Sequence, residues 1–129
     1  MSSIFSKIIA GEIPSFKIAE SDKFFAFLDI SPLAKGHTLV VPKNEVDYIF
    51  DVEANELGEM MKFAQTVALK MDKAIPCKRI GVAVIGLEVP HAHIHLIPLN
   101  SVSDIDFSRP KLSIPSDEMA EIAKKIIEA

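Results

Sequence analysis

The stretch Val89-Pro90-His91-Ala92-His93-Ile94-His95-Leu96-Ile97-Pro98 decides how this chain is read. It holds three of the four histidines, alternating with Ala92, Ile94 and Leu96. Period-two alternation of this kind predicts a half-buried β-strand. Residues i, i+2 and i+4 of a strand line one face. Val89, His91, His93, His95 and Ile97 therefore share a face, and Ala92, Ile94 and Leu96 turn to the core. At about 3.3 Å of rise per residue, successive imidazoles stand roughly 6.5–7 Å apart. That is too far to bond one another and close enough to line one ligand. A single histidine there would be an ordinary half-buried spacer. Three are costly, because histidine is a modest strand former and expensive to bury unpaired. Two chemistries fit. His-x-His on a strand, with a third histidine elsewhere, can build an open zinc centre. Alternatively, neutral imidazole is a competent nucleophile and acid–base group at pH 7.

Working outward, Arg79 to Ile85 reads as a buried strand closed by Gly86, and the short link Gly86-Leu87-Glu88 makes it an antiparallel partner of the histidine strand. His37-Thr38-Leu39-Val40-Val41-Pro42 is another strand, with the fourth histidine at its entrance. Phe24 to Ile30 is an aromatic strand. On it Phe25, Phe27 and Asp29 share one face, and Phe24, Ala26 and Leu28 the other. An aspartate after aromatics is either a strand end beside Ser31-Pro32 or part of an aromatic and carboxylate wall for a nucleoside, whose ribose diol a carboxylate can accept from.

Before these, Ile4, Phe5, Ile8 and Ile9 fall on one side of a short helix capped by Ser3 and stopped by Gly11, with Pro14 barring continuation. Ser15 to Glu20 can make a strand, followed by a turn at Ser21-Asp22-Lys23. Leu57, Met60, Met61, Ala64, Val67, Ala68 and Met71 keep the 3.6-residue period of an amphipathic helix of about five turns, ended by Pro76. The segment from Leu99 to Ser116 has little periodicity. A last helix follows, with Ser116 as N-cap and Met119, Ile122, Ala123, Ile126 and Ile127 as its apolar face. Strands interrupted by one long helix and flanked by short ones give an α+β fold with an antiparallel sheet of about five strands.

At 129 residues the chain reads as a single domain, with a core over about 4–98 and a variable C-terminal segment over 99–129. Apolar residues make up 49% and charged residues 25%, ordinary for a soluble globular protein. The net charge of −4 argues against nucleic acid or a membrane surface as partner. It leaves room for a phosphate-bearing small molecule, which feels local charge only. Cys77 is the single cysteine, so no internal disulfide forms and the cytoplasm is the expected compartment.

At His91-Ala92-His93-Ile94-His95-Leu96-Ile97 the chain resembles the histidine-triad (HIT) family, most closely its Hint-type branch. The resemblance extends over Ile4-Phe5-Ser6-Lys7-Ile8-Ile9-Ala10-Gly11-Glu12-Ile13-Pro14, Ala26-Phe27-Leu28-Asp29-Ile30-Ser31-Pro32 and Gly36-His37-Thr38-Leu39-Val40-Val41-Pro42-Lys43. It implies a HIT-like nucleotide-binding fold, a homodimer, and a hydrolase or transferase acting at the α-phosphate of a purine nucleotide such as a nucleoside phosphoramidate. Hydrolysis of a dinucleoside polyphosphate, or nucleotide binding with little turnover, are the alternatives. By the same resemblance His93 is the nucleophile that carries the nucleotidyl group, His95 and His37 flank the phosphate, and His91 orients the nucleophile. A neutral His93 must present one nitrogen, so its other needs an acceptor such as a backbone carbonyl. Asp29 matches the ribose ligand, and Ile4, Phe5, Ile8, Phe27 and Ile30 the wall around the base.

No cofactor is expected. Some relatives hold a structural zinc through Cys-x-x-Cys near the N-terminus, where this chain has Ser3 and Ser6, so no bound metal is expected either. Leu87 and Glu88 stand where Hint-like relatives carry Gln and Ser that contact phosphate or leaving group, and the usual Asn-containing loop before Gly86 is missing. A carboxylate roughly 4 Å from a phosphate would repel it by about 4 kcal/mol at an effective dielectric near 20. Either Glu88 points away, or the site takes an unusual leaving group.

Overall fold

The computed structural model describes residues 2–129. Ser3 accepts the backbone N–H of Ser6 and so caps α1 (Ile4–Ile9), and Gly11 ends the turn at φ +81°. Five strands follow in a single antiparallel sheet: β1 (Lys17–Glu20), β2 (Phe24–Leu28), β3 (Thr38–Pro42), β4 (Arg79–Ala83) and β5 (Ile94–Leu99). Their order across the sheet is β1-β2-β3-β5-β4. Between β3 and β4 runs α2 (Ala54–Ala74), and α3 (Ser116–Glu128) closes the chain. Ser116 is the first residue of α3 rather than its cap, a shift of one position. Among the described residues no helix is long and apolar enough to cross a membrane.

The alternation along β2 sorts its side chains onto two cores. Phe24, Ala26 and Leu28 join Met60, Ala64, Val67 and Met71 of α2 and Met119, Ala123 and Ile126 of α3 on one face of the sheet. Phe25 and Phe27 join Phe5, Leu39 and Val41 on the other face, which α1 covers. Met71 is fully buried, and truncating such a side chain to alanine costs about 2–5 kcal/mol. So α2 and α3 hold the sheet from behind, while α1 leaves part of the front face open.

Two expectations about strands need correction. Arg79 to Ile85 is not a buried strand. It pairs only with β5, ends at Ala83, and leaves Val82 half exposed at the sheet edge. Nor does the histidine stretch form one continuous strand, since β5 begins at Ile94. The β3–β5 register pairs Val40 with Ile94 and Leu39 with His95, and stops there for a chemical reason. Pro42 has no N–H to offer the ladder, and its carbonyl is taken by the His91 ring at 2.7 Å. Ala92 instead donates its N–H to Val46 at 2.7 Å. The expected alternation still holds in one respect, since Ala92, Ile94 and Leu96 all enter the α2 core.

Candidate active site

His91 and His93 stand on the irregular segment before β5, His95 on β5, and His37 one residue before β3. Their rings converge more than an ideal strand allows, with the His93 and His95 centroids 4.8 Å apart and His37 and His95 5.1 Å apart. Hydrogen bonds fix which nitrogen of each ring carries the proton.

His91 is fully buried. Its Nε2 lies 2.7 Å from the Pro42 carbonyl, which can only accept, so the proton sits on Nε2. Nδ1 therefore accepts from Ser3 Oγ, at 2.7 Å. Ser3 donates its N–H to Glu45 Oε1 at 2.6 Å, and Ser6 Oγ donates to the same oxygen at 2.7 Å. These two bonds, the Ser3 N–H first, hold the Glu45 carboxyl below its ordinary range. The backbone carbonyl of His91 in turn accepts from His93 Nδ1 at 2.7 Å. His93 thus carries its proton on Nδ1 and keeps an unshared pair on Nε2.

A second chain begins at the Leu33 N–H, which donates to His37 Nδ1 at 3.0 Å. His37 must then carry its proton on Nε2, which lies 2.9 Å from His95 Nδ1. His95 accepts there, so its own proton is on Nε2. No buried side-chain nitrogen or oxygen among the described residues lacks a partner. The unpartnered Nε2 atoms of His93 and His95 are therefore open to solvent, one as a lone pair and the other as a donor.

Burial favours the neutral forms of His37, His93 and His95. It pushes His37 down to about 3 and His95 down to about 4, with neighbouring rings and Lys111 adding to the shift. His93 is also lowered, mainly by burial, against the opposing bond to the His91 carbonyl. Burial raises the Asp29 carboxyl, opposed by the Ser31 N–H that Oδ1 accepts at 2.9 Å. Asp29 Oδ2 and His37 Nε2 are 3.7 Å apart, too far for a hydrogen bond. With His37 neutral they are not an ion pair either.

A cavity of about 350 Å³ is lined by His93, His95, Asp29, Glu88, Phe5 and Phe107, among others. Next to it, a smaller one of about 100 Å³ brings together Ile4, Phe5, Ile8, Phe27, Ile30 and Asp29. Every apolar residue expected around a base thus lines one cavity, and Asp29 borders both. His37 and His91 do not reach the larger one. Both nitrogens of each are occupied, so His37 acts only through His95, and His91 only through its carbonyl. Glu88 belongs to the exposed rim of the larger cavity, beside Leu87.

Two residues were missed. Phe107 packs edge-on against His95 at 4.7 Å between centroids, and Lys111 sits 5.6 Å over the Phe107 ring while donating to the Phe107 carbonyl. Both come from the segment 99–129 that the motifs leave out, and no periodicity marks them.

Metal binding can be tested on the donor sets. Ser3, Ser6, Glu45 and His91 offer two neutral hydroxyls, one carboxylate and a ring nitrogen, already bonded among themselves. That set does not fit a structural zinc, which takes thiolate and imidazole ligands. Asp29, His37 and His95 bring ligand atoms within 4.8 Å of one another. A metal there would have to break the bond between the two histidines.

A model of the HIT domain matches residues 10–102. The adenosine 5'-monophosphoramidase of Saccharomyces cerevisiae is 35% identical over 127 residues, covering 96% of this chain and 80% of the yeast protein. The hit protein of Bacillus subtilis is 39% identical over 104 residues, 74% of this chain and 69% of that one. A crystal structure of a HIT-like protein from Bartonella henselae superposes with a TM-score of 0.85 at 33% identity, covering 98% of this chain and 95% of that one. With its histidines, its five-stranded antiparallel sheet and these matches in agreement, the chain belongs to the HIT domain family.

Proposed function

We propose that the protein hydrolyses a purine nucleoside phosphoramidate through a nucleotidyl intermediate on His93. One observation carries the reading: the His93 Nε2 lone pair, set by the Nδ1 bond to the His91 carbonyl, opens beside the His95 Nε2–H in a cavity that continues past Asp29 to an apolar wall. In support, the yeast relative is named an adenosine 5'-monophosphoramidase. In the first step His93 Nε2 forms a bond to the α-phosphorus, and the P–N bond to the leaving amine breaks. The amine departs with the bonding pair and takes one proton from solvent. In the second step water attacks phosphorus, the P–Nε2 bond breaks, and the water gives up one proton, so the two protons cancel. Dividing the displacement lowers the barrier of each half. His95 Nε2–H donates to the phosphoryl oxygens as charge builds there. Asp29 Oδ2 accepts from the ribose diol, and Ile4, Phe5, Ile8, Phe27 and Ile30 enclose the base.

The test is release of AMP and free amine from an adenosine phosphoramidate, with His93→Ala as control. Turnover by the wild type and none by the variant is expected. AMP binding without turnover in the wild type would make the protein a binding module instead.

The same proposal takes the protein as a homodimer. In its favour, β4 has a free outer edge, and Val82 and Met61 lie half exposed beside it along one groove. Light scattering at micromolar concentration should give twice the chain mass. A monomer mass would contradict this part of the reading.

A further inference from the structure

We infer that Glu88 selects for leaving groups that carry a positive charge: amines with a second, cationic group on an aliphatic chain. The inference rests on the phosphoramidase reading and specifies its substrate. Glu88 lines the same cavity as His93, His95 and Asp29. Its side chain is exposed at the cavity rim, and it forms no ion pair among the described residues. Its field reaches the reacting centre, since it favours the protonated forms of both His93 and Asp29. Two carboxylates thus border one cavity. The cation that acts on Asp29 is Lys111, which is tied to the Phe107 carbonyl and stands over the Phe107 ring.

The nucleoside end of a substrate is taken up by Asp29 and the apolar wall, so the other substituent on phosphorus leaves by the mouth where Glu88 stands. Ile85 and Leu87 are exposed beside it, Leu87 at 87%. A rim of apolar surface with one unpaired carboxylate suits an alkyl chain ending in an ammonium. The same carboxylate repels a leaving group that is itself a phosphate, so a dinucleoside polyphosphate is disfavoured. At separations of roughly 6–8 Å, partly screened by water, one unit charge changes the rate on the order of tenfold.

Three adenosine phosphoramidates test this. Their amines share a five-carbon chain ending in an ammonium, a hydroxyl or a carboxylate. Wild-type kcat/KM should fall in that order, roughly tenfold at each step. Glu88→Gln should compress the range to within about threefold, and Glu88→Lys should reverse it. Added salt at 0.5 M should compress the wild-type range as well. Equal rates for all three in the wild type, or an order unchanged in Glu88→Gln, overturns the role of Glu88 and leaves the phosphoramidase reading intact. No turnover of the neutral hydroxyl compound by the wild type overturns the phosphoramidase reading itself, and this inference with it.

Discussion

Replacing His37 tests whether the proton pattern of the site, rather than the mere presence of four histidines, governs the chemistry. His37 is 1% exposed and has no route to substrate. Its Nδ1 accepts from Leu33 and its Nε2–H donates to His95 Nδ1. His37→Ala removes both bonds. The buried Leu33 N–H loses its acceptor, a penalty of about 1–3 kcal/mol in stability, with a further ~1 kcal/mol for the bond to His95. Without its donor, His95 is free to carry its proton on Nδ1, and then has no Nε2–H for the phosphoryl oxygens. Losing a bond of about 1–1.5 kcal/mol in the transition state slows kcat roughly five- to twelvefold. KM should hold within about twofold, because the lost contact is one made mainly in the transition state. His37→Gln offers one acceptor and one donor, so it can keep both bonds without an imidazole. It should recover kcat to within about threefold. Stopped-flow or steady-state release of AMP, with denaturant melts of each variant, reads both effects. The reasoning fails if His37→Ala keeps wild-type kcat, or if the glutamine variant is as slow as the alanine one.

Other outcomes follow from neighbouring groups. Asp29→Asn should weaken ribonucleotide binding by about 1.5–3 kcal/mol, a lost charge-assisted hydrogen bond, and leave the 2'-deoxy analogue nearly unchanged; calorimetric titration showing equal weakening of both would remove Asp29 from the ribose. Ser3→Ala should lower stability by about 1–3 kcal/mol through the lost α1 cap and the unpaired His91 Nδ1. It should also slow kcat several-fold, while Ser3→Thr, which keeps the hydroxyl, preserves both; equal kcat in all three would break the link from α1 to His93. The folded chain holds His37 near 3 and His95 near 4, below their ordinary 6.5, so their contribution to stability is full above about pH 6.5. As pH falls below that value the unfolded chain binds protons that the folded chain does not, and stability declines by up to ~2.7 kcal/mol per unit for two protons. Denaturant midpoints between pH 7 and 5 should show this decline, and His37→Gln should make it shallower; a flat wild-type profile would refute neutral burial of the pair.

Much of this was legible in the chain itself. The β2 alternation correctly divides Phe24, Ala26 and Leu28 from Phe25 and Phe27, because a strand between two cores has to satisfy both. The 3.6-residue stripe of α2 correctly gives Met60, Ala64, Val67 and Met71 as buried, whereas Met61 from the same stripe is half exposed. The residues expected around a base and ribose come from short motifs that lie on one side of the sheet, so the cavity they line follows once α1 packs there. What could not be read depends on contacts between distant residues. The departure of His91 and His93 from the strand comes from a ring–carbonyl bond to Pro42, 49 positions away. The His37–His95 bond spans 58 positions and the Ser3–His91 bond 88. No periodicity carries that information. Phe107 and Lys111 come from a stretch without pattern, and only the folded path of residues 99–115 brings Phe107 against His95.

The most direct test of the account is where the nucleotidyl group goes. Wild-type protein mixed briefly with an adenosine phosphoramidate labelled at the α-phosphate, then quenched in base, should carry an acid-labile label. Digestion should place that label on His93, whose Nε2 lone pair is the only open one among the four histidines. His93→Ala should take up no label and abolish turnover, while keeping nucleotide affinity within about tenfold, since the lost interaction belongs to the transition state. Label on His91 or His95, or near-normal turnover by His93→Ala, would contradict the mechanism.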